Sequence, residues 1–232
     1  MIRVQLYRAL YVAISLTFVL AGCQSKPANM NSSRGLAEIK VKRIALMPFV
    51  RGLHNSSLGD PMNRLLYCTM SDLCFNIKEV KDNADELMTG FLQEALQKSY
   101  TGALIPAPTV QSAYAELPKY PATDTPQSLA IALGRKLQTD HVMVGIVWRY
   151  KERVGTAQAS PSPASVAFTL YLLNVQTGIP VWQATFDKTQ QALSDNLLNA
   201  KEFFSMGARW LSSDELARFG IKQVLGKTGG VL

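Results

Sequence analysis

Residues 10–20 (LYVAISLTFVL) form a largely apolar run. It follows Arg3 and Arg8 and ends in Leu20-Ala21-Gly22-Cys23. This run limits what the chain can fold into. It falls short of the roughly 20 apolar residues that cross a bilayer as a helix, so it is not read as a transmembrane anchor. A positive start, a short apolar stretch and small residues before a cleavage point are the parts of a secretory signal. A cysteine at that point is what a lipid-attaching signal peptidase requires. Residues 1–22 are therefore read as a lipoprotein signal, with Cys23 as the lipidated first residue of the mature chain. One acyl chain holds a protein on a membrane only marginally, whereas two or more hold it stably. Gln24 follows the cysteine, where an aspartate would favour inner-membrane retention. The expected location is the outer membrane, lipid-anchored and facing the periplasm.

The fold must then be built from the residues after Cys23, a length that suffices for one well-buried domain. Apolar residues make up 47% and charged residues 18%, the balance of a packed protein and not of a disordered one. The net charge is +7. It falls to +5 without Arg3 and Arg8, because 22 basic residues then face 17 acidic ones. The bases are scattered, with no run beyond Lys40-Val41-Lys42-Arg43, and no basic-aromatic pattern points to nucleic acid. Solubility accounts for this charge, and anionic lipid or cell wall is the alternative.

Besides Cys23, the cysteines are Cys68 and Cys74. An even pair in a chain exported to an oxidising space is expected to form a disulfide. Two reduced, buried thiols are the second reading. Zinc is the third: five residues separate the cysteines, outside the usual spacing, and only His54 and His141 remain to complete a site.

Along the chain, 23–40 is polar and rich in Ser, Asn, Pro and Gly, and is read as a tether. Residues 41–232 are read as one globular domain. Lys42–Phe49 reads as a first strand ended by Pro48, which has no N–H to give a ladder. Arg51–Asp72 is a long turn-rich excursion. Ala84, Leu87, Met88, Phe91, Leu92, Ala95 and Leu96 fall on one stripe of a helix expected over 83–100. Asp82 is its expected cap and Gly102 its left-handed stop. A short strand (103–106), a short helix (109–117) and a second amphipathic helix (127–138) come next.

Three strands are then expected, at 142–152, 164–175 and 180–187, as an antiparallel meander. Alternation in the first puts Val142, Val144, Ile146, Trp148 and Tyr150 on one face. Its charged end (Arg149, Lys151, Glu152, Arg153) is expected to run out into solvent. Helices are expected at 195–204 and 213–225, the latter opened by a capping box at Ser212 and Glu215. Gly220 is expected to weaken or split it. The fold class is thus α+β: a mixed, mostly antiparallel sheet of about four to five strands, helices packed on it, and C-terminal helices appended.

No reaction chemistry emerges from the residues. There is no Gly-x-Ser-x-Gly elbow and no glycine-rich phosphate loop, and any Ser-His-Asp site would depend on His54 or His141. Asp85-Glu86 and Asp214-Glu215 fit helix starts better than acid–base work. The chain is read as a non-enzyme with no cofactor and no metal.

Three passages resemble a group of bacterial envelope lipoproteins. Arg43-Ile44-Ala45-Leu46-Met47-Pro48-Phe49 resembles the group's basic, apolar, Pro-Phe first strand. Gly134 through Asp140-His141-Val142-Met143-Val144-Gly145 resembles its helix-to-strand passage. Asn174-Val175-Gln176-Thr177-Gly178-Ile179-Pro180-Val181-Trp182 resembles its Thr-Gly-to-Trp hairpin. The group includes the lipoprotein activators of peptidoglycan synthases, the curli secretion lipoprotein and the amino-terminal domain of the periplasmic Tol translocation protein. The resemblance covers roughly Val41 to Phe186. It implies a mixed sheet with helices and a role in partner binding or assembly without catalysis. The Cys68–Cys74 segment and the C-terminal helices depart from the group's pattern.

Two roles are expected. One is a binding module for an unidentified envelope protein in cell-wall synthesis, transport or secretion. The other is a self-associating ring or pore. For the first, the expected partner surface joins the excursion to the strand ends, through Arg51, His54, Arg64, Arg149 and Arg153. Recognition commonly sits on loops carried by a rigid scaffold.

Overall fold

The computed structural model describes residues 41–52, 66–70, 80–191, 207–226 and 228. All lie in one compact unit, Ser32–Leu232. The signal, the tether, most of the excursion, Cys74 and the helix expected over 195–204 lie outside the described residues.

The elements, in order, are β1 (Arg43–Leu46), β2 (Val50–Arg51), α1 (Ala84–Ser99), β3 (Ala103–Leu104), α2 (Ala107–Ala115), α3 (Pro126–Lys136), β4 (His141–Lys151), β5 (Ser165–Asn174), β6 (Pro180–Thr189) and α4 (Ser213–Leu225). The strands form one sheet in the order β3-β1-β4-β5-β6, with β2 also on β4. β1 is parallel to β3 and β4, and β2 is parallel to β4, while β4–β5–β6 is the antiparallel meander. The class is α+β, and most of the paired length is antiparallel.

Pro48 interrupts the first strand as its missing N–H requires, but the ladder resumes. Val50 pairs with Ile146, and the Gly52 N–H donates to the Val147 carbonyl at 2.9 Å. The strand expected over 42–49 is therefore two short strands on one neighbour.

The core has two layers, one on each sheet face. α1 and α4 cover the face carrying Ile44, Leu46, Met143, Val147, Phe168 and Leu170. α2 and α3 cover the face carrying Ala45, Met47, Val142, Val144, Ile146 and Tyr171. The stripe on α1 is core: Ala84, Met88, Leu92 and Leu96 are all buried. Each large side chain sealed in this way contributes about 1.5–3 kcal/mol.

Several local expectations are corrected. Asp82 does not cap α1; Asn83 holds the cap position without a side-chain bond, and the Ala84 N–H donates to the Lys81 carbonyl. Gly102 is not a left-handed stop. The helix ends because Tyr100 is extended, and glycine is needed at 102 because a Cβ there would meet the Tyr100 ring and the Lys42 carbonyl. Gly220 does not split α4. It lies buried in a continuous helix, where a Cβ would come within 2.6 Å of the Phe186 ring. The Ser212–Glu215 capping box is present in both directions.

The largest correction concerns the end of β4. A bulge between Val147 and Arg149 shifts the register against β5. It turns Tyr150 away from Trp148 and onto the α1–α4 side, where it joins Met143 and Val147. β4 therefore stays in the core through Tyr150, which is 1% exposed, and the chain reaches solvent only at Lys151 and Glu152. An extra residue on one strand reverses the alternation beyond it.

The motif glycines serve close packing. A Cβ on Gly145 would enter the Phe49 ring, and one on Gly134 would strike Val175. Phe49 after the proline thus seats over β4 only because residue 145 is glycine. In the hairpin, Asn174 Oδ1 accepts from the N–H groups of Gln176 and Thr177, both at 3.0 Å, and Gly178 takes φ +71°.

Candidate interaction site

The domain has two ends. At one, Val41 enters β1, and its carbonyl accepts from the Tyr100 hydroxyl at 2.9 Å. At the other lie the carboxyl ends of β1, β2 and β4, and from there Gly52 leads into the excursion.

At this second end the chain makes a topological switch. From β1 it crosses through α1 to β3 on one side. From β3 it crosses through α2 and α3, over the opposite face, to β4 on the other. Such a switch opens a crevice beyond the strand ends, which is where open α/β sheets bind ligands. A cavity of about 420 Å³ occupies it here, lined among others by Pro48, Phe49, Asp85, Thr89, Gln93 and Gln111. The Phe49 N–H donates to Thr89 Oγ1 at 2.9 Å, and that hydroxyl donates to the Asp85 carbonyl at 2.6 Å. Thr89 thereby fixes the loop after Pro48 against α1. Residues 89, 93 and 111 carry no local motif that would single them out in the sequence, and only the crossover brings them together. Asp85 and Glu86, which the sequence marks only as helix-start acids, hold that place at the crevice mouth as well.

The expected surface residues are partly found here. Arg51, on β2, faces Asp85 at 3.7 Å. Arg149, at the bulge, pairs with Asp187, and its Nε donates to Ser165 Oγ at 2.6 Å. The Arg153 guanidinium donates to the Trp210 carbonyl. All three lie at the excursion end and are held by partners within the fold. His54 and Arg64 lie outside the described residues. Cys68 is half-buried against the α2–α3 core layer, and its expected partner Cys74 lies outside the described residues.

A polar cluster joins β4 to α4. The Tyr150 hydroxyl donates to Asp214 Oδ1 at 2.7 Å. Ser213 donates to both Glu152 oxygens, through its N–H at 3.1 Å and its hydroxyl at 2.6 Å. Burial, and then the Asp214 carboxylate, push the Tyr150 phenol far above its ordinary range. Tyr150 is therefore a fixed donor and not a base. Arg209 clamps Glu215 with two bonds, at 3.0 and 2.6 Å, and with the Ser212 N–H holds its carboxyl down to about 2. At the opposite end, burial pushes the His141 imidazole below its usual range, against the pull of Asp140. Among the described residues, no group of three or more His, Cys, Asp or Glu could hold a metal, and no helix is long and apolar enough to cross a membrane.

No family model matches this chain, and no curated protein does. Several solved structures are similar at low identity. The PelC dodecamer from Paraburkholderia phytofirmans is 13% identical, with 85% of this chain and 94% of that one covered, at a TM-score of 0.45. Lipoprotein GNA1162 from Neisseria meningitidis is 13% identical, with 72% and 94% covered, at 0.41. The LpoB C-terminal domain from Salmonella enterica is 16% identical, with 66% and 87% covered, at 0.39.

Proposed function

We propose that this chain is a lipid-anchored, periplasm-facing lipoprotein of the outer membrane. In this reading it works without catalysis, binding a protein partner of an envelope machine. The observation that carries the reading is Leu20-Ala21-Gly22-Cys23 behind its short apolar run. The domain's layout supports it. The tether joins at Val41, at one end, while the switch crevice, Arg51 and the start of the excursion lie at the other. A module held by its lipid at one end presents the opposite end to a partner. The arginines there position loops and strand ends through their own partners. The cavity and the excursion then form the contact surface.

Photo-crosslinkers placed singly at Gln111, Arg51 and Lys188 test this in cells. Gln111 and Arg51 should give discrete adducts of the same partner, and Lys188, on the edge strand, should not. Adducts from Lys188 alone would move the surface away from the crevice.

One observation favours a second reading, self-association. β6 offers ten residues along a sheet edge, with no further strand beside it among the described residues. Such an edge is a template for pairing with another chain. The β4–β5 hairpin, by contrast, is buried on both faces, so it is not a membrane-inserting hairpin in this fold. Light scattering on the detergent-solubilised protein separates a monomer from an assembly.

A further inference from the structure

We propose that the tether end of the domain is itself a docking surface for an anionic lipid bilayer. The proposal rests on the lipid anchor proposed above and adds to it the side of the domain that faces the membrane.

The inference comes from where the charge lies. Lys42 and Arg43 open β1, where the tether joins. Lys98 sits in the last turn of α1, Arg135 and Lys136 in that of α3, and Lys222 in that of α4. All six are exposed. The fold gathers them at one end. Tyr100, just past α1, bonds the Val41 carbonyl, and the Thr139 hydroxyl, just past α3, donates to the Arg43 carbonyl at 3.2 Å. Lys98 and Lys222 border one groove between α1 and α4.

Among the described residues, the carboxylates at this end are Glu116, paired with Lys136 at 2.7 Å, and Asp140. Glu94, one turn before Lys98 and lining the same groove as Lys98 and Lys222, is neutralised by Arg218 at 2.5 Å. Six cations against two carboxylates leave +4. Four helices end here, and their dipoles offset roughly half a charge each, about −2 in all, so the end stays positive. Among the described residues of the excursion end, by contrast, Asp82, Asp85, Glu86, Glu152, Asp187, Asp214 and Glu215 match an equal number of Lys and Arg. The positive excess of the described domain is therefore concentrated where the tether enters.

The groove adds a second observation. It has a volume of about 560 Å³, and its apolar lining of Phe91, Ala95, Ile221 and Leu225 lies beside Lys98 and Lys222. Cations around apolar surface match the boundary between anionic headgroups and acyl chains. A tether that joins at Val41 and ends in lipid keeps this end within reach of the bilayer.

The test uses the lipidated full-length protein. It is reconstituted into vesicles of DOPC alone and of DOPC with 30% DOPG, then labelled with an amine-reactive ester and read by peptide mass spectrometry. Lys98 and Lys222 should lose about threefold or more of their labelling in the DOPG vesicles at low salt and regain it at about 0.5 M NaCl, where screening is short-ranged. Lys81 and Lys151, at the excursion end, should label equally in both. In a Lys98→Glu, Lys222→Glu variant, Lys42 should lose its DOPG-dependent protection. Equal labelling of Lys98 and Lys222 in both vesicles, with the protein floating with both, overturns the docking surface and leaves the anchor intact. Failure to float with DOPC vesicles overturns the anchor and the docking built on it.

Discussion

The Tyr150 hydroxyl meets Asp214 Oδ1 at 2.7 Å and so ties the end of β4 to the first turn of α4. The bulge at Val147–Arg149 makes this bond, since without it Tyr150 would face the opposite layer. Tyr150→Phe keeps the ring and removes only the donor. A lost hydrogen bond to a charged group should cost about 1.5–3 kcal/mol. Urea denaturation should show a lower midpoint with the same slope, and Asp214→Asn added to Tyr150→Phe should cost less than the sum of the two single changes. Full additivity would mean that the pair is not coupled.

Two glycines in helices should respond in opposite directions. Gly220→Ala adds a methyl against Phe186, with only 2.6 Å available, and should destabilise the domain by about 1–3 kcal/mol. Gly90→Ala meets nothing within 4 Å on an exposed helix position and should stabilise by about 0.5–1 kcal/mol. Thermal melts of the two variants should bracket the wild type. A stabilising Gly220→Ala would mean that α4 does not pack closely on β6.

Acid should weaken the fold in two windows. The His141 imidazole is lowered by burial, so the unfolded chain binds its proton first. The stability gained by keeping it neutral is present above the ordinary value of 6.5 and is lost as the pH falls below it. Glu215 is lowered from 4.5 to about 2, so its contribution holds above 4.5 and fades as the pH falls toward 2. Melting temperatures at pH 7.5, 5.5 and 3.5 should fall in both steps. His141→Gln should flatten the first step and Arg209→Gln the second. If His141→Gln leaves the first step unchanged, another group titrates there.

Much of this fold is legible in the chain, for identifiable reasons. The α1 stripe, the Ser212–Glu215 box and the turn at Asn174–Gly178 are each set by neighbours within a few residues. The misreadings arise from contacts between residues distant in sequence. Alternation cannot place a bulge when both strand faces are apolar, so it assigns Tyr150 to the wrong layer. Gly102 and Gly220 look like backbone signals, yet each is glycine because a distant ring or carbonyl fills the space. The crevice residues Thr89, Gln93 and Gln111 converge only through the crossover from α1 to α2.

The Cys68–Cys74 disulfide remains a proposal carried by the export signal and the even pair. By the chain-entropy relation, a loop this short adds about 2–3 kcal/mol before any strain is discounted. Non-reducing peptide mapping of protein isolated from the periplasmic side should find the two cysteines in one linked peptide. Two alkylatable thiols in freshly lysed cells would leave the segment after β2 without its staple.

The central claim is that the chain begins its mature life at a lipid-bearing Cys23. Intact-mass spectrometry of the protein extracted from the membranes of a Gram-negative host tests this directly. The account predicts a species starting at Cys23, heavier than its polypeptide by a diacylglyceryl group and, after full processing, by one further acyl chain. Fragmentation should place the added mass on that cysteine. A mature protein with an unmodified Cys23, or one whose first residue lies elsewhere, would contradict the account.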